Sequence, residues 1–145
     1  MQFLKVNRTS AEQVFIVAKN GFATTLTTGY VACFDFKNDG TGATVSQPQS
    51  ATNSAWYAVA GVANTDIAAA AYGLLQVYGI CSTYVSTESS ASADVEIGQV
   101  IGMKTATFYL VSNGLSDGKQ GGTFVPAERI ISGTLGNKNV FIRLL

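Results

Sequence analysis

The chain has 145 residues, which is enough for one core and short for two. Nine basic residues balance nine acidic ones, and the 12% charged fraction is about half that of ordinary soluble domains, so no nucleic-acid partner tracked through clustered Lys and Arg is expected. The 47% apolar fraction is dispersed among Ala, Gly, Ser and Thr; the longest apolar candidate, Ile67 to Ile80, is broken by Gly73, Gln76 and Gly79, so no membrane helix of roughly 20 residues is expected.

Residues 1–12 mix Phe3, Leu4 and Val6 with polar side chains and show no sustained period, which fits either a first strand or an arm that orders on contact. Met1 to Arg8 lacks the charged-then-apolar order of a secretory signal, and synthesis in the cytoplasm is expected. In that setting the sequon at Asn7-Arg8-Thr9 reads as coincidence. Residues 13–145 read as one β domain. "QVFIVA" at Gln13–Ala18 is a β-type run, and "KNG" at Lys19–Gly21 has turn chemistry. In "GYVACFDF" the period of two puts Tyr30, Ala32, Phe34 and Phe36 on one face. "KNDGTG" at Lys37–Gly42 breaks that run, and the polar stretch through Ser54 reads as a long loop.

"AWYAVAGVA" at Ala55–Ala63 is a further strand and carries the only Trp, Trp56. After it, Asn64 to Asp66 predict the cap of a short helical turn over Ile67–Tyr72, stopped by Gly73. "LLQVYGI" returns to strand; Leu75 and Val77 lie on one side and Leu74, Tyr78 and Ile80 on the other, which predicts burial on both faces. "STESSAS" at Ser86–Ser92 reads as an exposed loop. In "ADVEIGQVIGM" Val95, Ile97 and Ile101 are expected to face inward and Asp94 and Glu96 outward, with bends at Gly98 and Gly102. "ATFYLVS" at Ala106–Ser112 is another strand, "NGLSDGKQGG" is a Gly-rich loop, "AERIISG" is a candidate strand, and "NVFIRLL" closes the chain. About eight short β runs with one hint of helix predict a small sandwich or barrel.

The chain contains no His, which removes Ser-His-Asp and Cys-His nucleophile systems and His-containing zinc sites. Cys33 and Cys81 are too few for a four-thiolate site and read as small buried hydrophobes in a reducing compartment. "DFKNDG" at Asp35–Gly40 has part of a calcium-loop spacing, but Lys37 stands where an oxygen ligand belongs and Ser46 replaces the terminal Glu; it reads as a turn. "GLSDGKQ" at Gly114–Gln120 has one residue too few between its glycines for a phosphate loop, and Gln120 in place of Ser or Thr. Asp94 and Glu96 stand about 7 Å apart by strand rise, a spacing open to a glycosidase-like pair but far commoner among solvated strand carboxylates. Trp56, Tyr57, Tyr72, Tyr78 and Tyr84 are the residues a sugar platform would draw on, though alternating aromatics more often fill a β core. No catalytic residue, metal site or cofactor is expected.

"TTLTTGYVACFD", "WYAVAGVANTDIAAAAYGLLQVYGIC" and "ADVEIGQVIG" follow one another in an order that resembles the capsid decoration, or cement, proteins of tailed bacteriophages. Thr27–Val31, Val59–Gly79 and Val95–Ile101 carry the likeness, within roughly residues 24–112. The resemblance implies an all-β, compact small barrel or sandwich (β-tulip-like) with an extended N-terminal arm and at most one short helix. It also implies a virion protein, made in the host cytoplasm, on the outer capsid surface. There it would bind the major capsid protein, clamp neighbouring subunits and commonly act as a homotrimer. On this reading the arm residues Phe3, Leu4, Lys5, Val6, Asn7 and Arg8 contact the capsid. The closing segment, with Phe141, Arg143 and Leu145, contacts capsid or neighbouring protomers. Another virion β protein, such as a tail-tube or fibre module, and a carbohydrate-binding module are the alternatives.

Overall fold

A computed structural model describes residues 12–47, 58–87, 94–103, 107–111, 123–131, 133 and 135–144. Among them the fold is all-β, as expected, with no helix. Nine strands occur in chain order: β1 (Val14–Asn20), β2 (Val31–Phe34), β3 (Thr44–Ser46), β4 (Val59–Ala63), β5 (Tyr72–Ser86), β6 (Gly102–Met103), β7 (Leu110–Val111), β8 (Thr123–Pro126) and β9 (Leu135–Arg143).

Strand β5 organises the rest. Over 15 residues its side chains alternate by the period of two: Leu75, Val77, Cys81, Thr83 and Val85 are buried, while Tyr72, Leu74, Ile80 and Ser82 are exposed. Its first half pairs with β1 and with β4; β1 continues to β3, β3 to β2 and β2 to β4, so these pairings return to β5 and close a five-strand ring. Its second half pairs with β9 and with β7. Strand β9 continues to β8, Phe124 of β8 bridges Ile101 beside β6, and β6 pairs with β7. A second ring therefore closes through the same strand.

Two apolar cores follow from this arrangement. The first contains Ala18, Ala32, Val45, Ala60, Ala63, Ile67 and Leu75 with Leu26 and Phe108. A five-strand ring encloses little space, and alanines are what fit it. The second gathers Cys81, Val85, Ile101, Leu110, Phe124, Val140 and Ile142, together with Val31, Val59 and Val62. Strands β2 and β4 are thus a wall between the cores and buried on both faces. Val59 and Val62 reach the same face because Ala60 is an extra residue in the β2–β4 register, a bulge beside Gly61. A Cβ at Gly61 would stand 2.8 Å from the Gln76 carbonyl oxygen and from Leu75 Cβ, so only glycine lets β4 lie this close to β5.

Several expectations are corrected. Residues 64–72 form no helical turn: Ile67 bridges Leu26, Ala70 takes a left-handed conformation (φ 61°), and β5 begins at Tyr72. The Asp66 carboxylate caps nothing of its own segment; it accepts the Thr28 N–H and hydroxyl at 2.7 and 2.8 Å. Gly73 sits inside β5 against Ile67 and is not a helix stop. Lys19 and Asn20 continue β1, since the Asn20 side chain is buried and replaces turn bonds: its amide donates to Thr24 O and Ile67 O at 2.9 Å each and accepts from Phe22 N.

Strand β3 lies in the stretch expected to be loop, held parallel to the end of β1. Leu74 and Ile80 are exposed and Tyr78 is half-buried, so on that face of β5 only the polar Gln76 is fully covered and no apolar core forms there. Phe36 and Ile97 are exposed as well, because the chain turns at Phe36–Asn38 and at Ile97–Gly98 before either can continue a strand face. The run at Ala106–Ser112 contributes only β7. "AERIISG" gives one isolated bridge, Val95 to Ile130, and the strand lies earlier, at β8. Trp56, Tyr57, most of "STESSAS" and all of "NGLSDGKQGG" fall outside the described residues.

Asn20→Ala removes three hydrogen bonds, one buried and two part-buried, and is expected to lower stability by about 2–3 kcal/mol. Thr83→Val removes a single buried bond, from the hydroxyl to Gly29 O at 2.7 Å, and should cost about 1 kcal/mol. Urea unfolding of both variants beside the parent checks the ranking; equal losses would refute the role given to Asn20.

Candidate functional site

Two of the expected contact residues, Phe141 and Arg143, meet the root of the N-terminal segment. Glu12 and Val14 on one side and Tyr78, Phe141 and Arg143 on the other line an open cleft of about 510 Å³. The register produces it: Tyr78 of β5 pairs with Val14 of β1 and with Arg143 of β9, so the start of one strand and the end of another converge on one residue. The Tyr78 and Phe141 rings pack edge to face, with centroids 5.5 Å apart and planes at 78°. Arg143 is exposed at the cleft edge.

Gly79 fixes how the chain enters this cleft. Its φ is +100°, and a Cβ there would collide with the Glu12 carbonyl oxygen, so residues 12–13 lie directly on the β5 backbone. The Gln13 side-chain amide donates to Ile80 O at 3.1 Å, and buried Gln76 donates to Tyr78 O at 3.1 Å and to Ile80 O at 3.0 Å. The Leu144 N–H donates to Val77 O at 3.0 Å. A rigid floor of main chain and amides therefore carries an aromatic pair, a guanidinium and the departing chain. Such a surface, with the Glu12 carboxylate and the Arg143 guanidinium beside the aromatic pair, can hold an apolar side chain flanked by polar groups.

Phe3, Leu4, Lys5, Val6, Asn7, Arg8 and Leu145 lie outside the described residues. Tyr78 and Glu12 were not singled out as contact residues, and only the pairing register reveals them. Tyr72, Tyr78 and Tyr84 share the outer face of β5 but stand six residues, or about 20 Å, apart, so they make no common platform. Tyr84 instead packs with Tyr30 and Tyr109, at centroid distances of 5.8 and 5.6 Å.

The remaining polar motifs are spent on structure. Asp94 and Glu96 do lie on one side, and Arg129 sits on both, Nη2 at 2.6 Å from Asp94 and Nε at 3.3 Å from Glu96. These groups are solvated and flank the Val95–Ile130 bridge. Asp35 accepts from Asn38, and Asp39 accepts from Thr41 N–H and hydroxyl. These bonds hold the Asp39 carboxyl well below the usual carboxylate range. Among the described residues no three His, Cys, Asp or Glu side chains gather as metal ligands, and no helix is long and apolar enough to cross a membrane. Cys33 and Cys81 are free and buried, Cys33 against Met103 Sδ at 3.4 Å. Burial pushes both thiols up to about 12.

Neither a protein-family model nor a curated protein sequence matches the chain.

Gly79→Ala is expected to cost about 2–3 kcal/mol and to dislodge residues 12–13, which chemical denaturation and the amide shifts of Gln13 and Ile80 will read. Neither thiol should react with a disulfide reagent at pH 8 until denaturant is added. The folded chain keeps these protons where the unfolded chain, with an ordinary thiol value of 9.0, gives them up. The stability this contributes is complete below about pH 9 and is lost as pH rises towards 12. Replacing both cysteines by Ala should remove the thiol part of that alkaline slope.

Proposed function

We propose that the chain is a non-enzymatic attachment protein of a phage virion that binds the outside of an icosahedral head and cements neighbouring major capsid subunits, as a homotrimer. The segment order at Thr27–Val31, Val59–Gly79 and Val95–Ile101 motivates the reading. The observation that carries it in the structure is the convergence at the cleft. Glu12 and Val14, where the N-terminal segment joins the double-ring body, stand beside Tyr78, Phe141 and Arg143, so the root of that segment adjoins a preformed surface with an aromatic pair at its centre. Main-chain pairing of an extended segment supplies affinity without titrating groups, and pockets for alternate side chains supply selectivity. Several weak contacts per oligomer become durable through effective concentration.

The test is saturation of expanded heads that lack the protein, counting copies retained after sedimentation. A plateau at a fixed multiple of the capsid subunits, with heads made more resistant to heat, is expected. Deleting Met1–Arg8 should reduce retention at least about tenfold, and Phe141→Ala with Arg143→Ala should reduce it further while the body stays folded. Absence of retention on any head form would refute the cement reading and direct attention to tail preparations and glycan arrays.

A further inference from the structure

Asn20 is followed by Gly21, and this dipeptide is chemically labile: with no Cβ on the glycine, its main-chain nitrogen can approach the side-chain amide of the preceding Asn. The fold holds both reacting groups apart. Asn20 is 1% exposed, and its carboxamide makes three hydrogen bonds: Nδ2 donates to Thr24 O and to Ile67 O, and Oδ1 accepts from the Phe22 N–H, each at 2.9 Å. The nitrogen that would attack is engaged as well, since the Gly21 N–H donates to Val45 O at 2.8 Å. On either side of it the Asn20 N–H donates to Ala71 O at 2.8 Å and the Ala70 N–H to Asn20 O at 2.9 Å. For the Asn20 carboxamide carbon to close on Gly21 N, the three side-chain bonds and the Gly21 bond have to break together.

Both members of the pair are demanded by the structure. Position 20 requires a short side chain that donates twice and accepts once, which is Asn. Position 21 requires glycine, because a Cβ there would collide with Thr44 Cγ2 on β3. The labile dipeptide is therefore built into the joint between β1, β3 and the Ile67–Ala71 loop.

We propose that Asn20–Gly21 is a latent self-modification site, silent in the folded protein and active once the chain unfolds, whose product prevents refolding. In the unfolded chain Gly21 N attacks Asn20 Cγ: a C–N bond forms, the Cγ–Nδ2 bond breaks, and the Gly21 amide proton leaves with Nδ2 as ammonia. Water then opens the cyclic imide at either carbonyl and leaves an aspartyl or an isoaspartyl link. Neither product fits the site. An aspartate turns an oxygen, in place of the Nδ2 donor, towards the Thr24 and Ile67 carbonyls; of the three groups that bond Asn20, only the Phe22 N–H donates, and a buried charge is left facing two acceptors. An isoaspartyl link adds a methylene to the main chain between the bond to Ala71 O and the bond to Val45 O, so the two no longer form in register. Prolonged unfolding thus becomes permanent loss of the fold. This inference is independent of the head-attachment reading, since it concerns the isolated protein and its test needs no capsid.

Peptide mapping by mass spectrometry, after incubation of the full chain at mildly alkaline pH with a thiol reductant, tests the proposal. Conversion at Asn20, read as replacement of NH2 by OH, should run at least about 100-fold more slowly in the folded protein than in the same chain held in guanidinium chloride. In the denatured sample the identical dipeptide Asn113–Gly114 reports that the conditions support the reaction. Refolding yield on dilution should fall in proportion to conversion at Asn20. The double variant Gly21→Ala, Thr44→Ser keeps Asn20, makes room for the added Cβ and slows cyclisation in the unfolded chain; it should retain its refolding yield through an incubation that abolishes the parent's. If that variant does not fold, separating the incubated parent by charge makes the same comparison: chains converted at Asn20 should fail to refold, and unconverted chains from the same sample should refold. Equal conversion in the folded and denatured protein, or converted chains that refold with the parent's urea midpoint, would overturn the proposal. Refolding lost without conversion at Asn20 would overturn it too, by assigning the irreversibility to another reaction.

Discussion

A single strand with one apolar inner face holds two rings together. Because Leu75, Val77, Cys81, Thr83 and Val85 of β5 all face inward, one strand lines both cores, and the pairings of β1, β4, β7 and β9 are all registered against it. Shifting β5 by one residue would expose Leu75, Val77, Cys81 and Val85 together, so its register is specified by two cores at once. The cleft depends on the same register, since Tyr78 is where the ends of β1 and β9 meet.

Much of this was legible in the sequence where periodicity was strong. The runs that became β1, β5 and β9 were visible, as was the break at Lys37–Gly42. The errors have physical sources. Asn64 to Asp66 offer the same side-chain acceptors whether they cap a helix or tie a loop; here Asp66 binds Thr28, a partner 38 residues away that no local pattern reveals. Thr44–Ser46 carries too little β signal to stand out and is made a strand by its parallel neighbour. Leu74 and Ile80 look like core residues because apolarity alone does not report whether a second layer covers the outer face. Strand β8 escaped notice because it ends in Pro126, which β9 tolerates at the end of the ladder.

The candidate site was less visible than the fold. Phe141 and Arg143 were within reach of sequence reasoning because the chain closes on an apolar run, but Glu12, Val14 and Tyr78 gain meaning only from long-range pairing. The carboxylates that drew attention as possible chemistry are engaged with Arg129, Asn38 and Thr41. What stands out instead is the placement of apolar residues on the outer surface of β1 and β5.

The way residues 12–14 enter the body has a mechanical consequence. Strand β1 runs antiparallel to β5 through six paired residues, and residues 12–13 continue from its start along β5 over Gly79. Tension on the N-terminal segment in that direction loads the β1–β5 ladder in shear, so its hydrogen bonds resist together instead of peeling away one after another. A load applied at Glu12 is therefore shared by both rings, because β5 belongs to each.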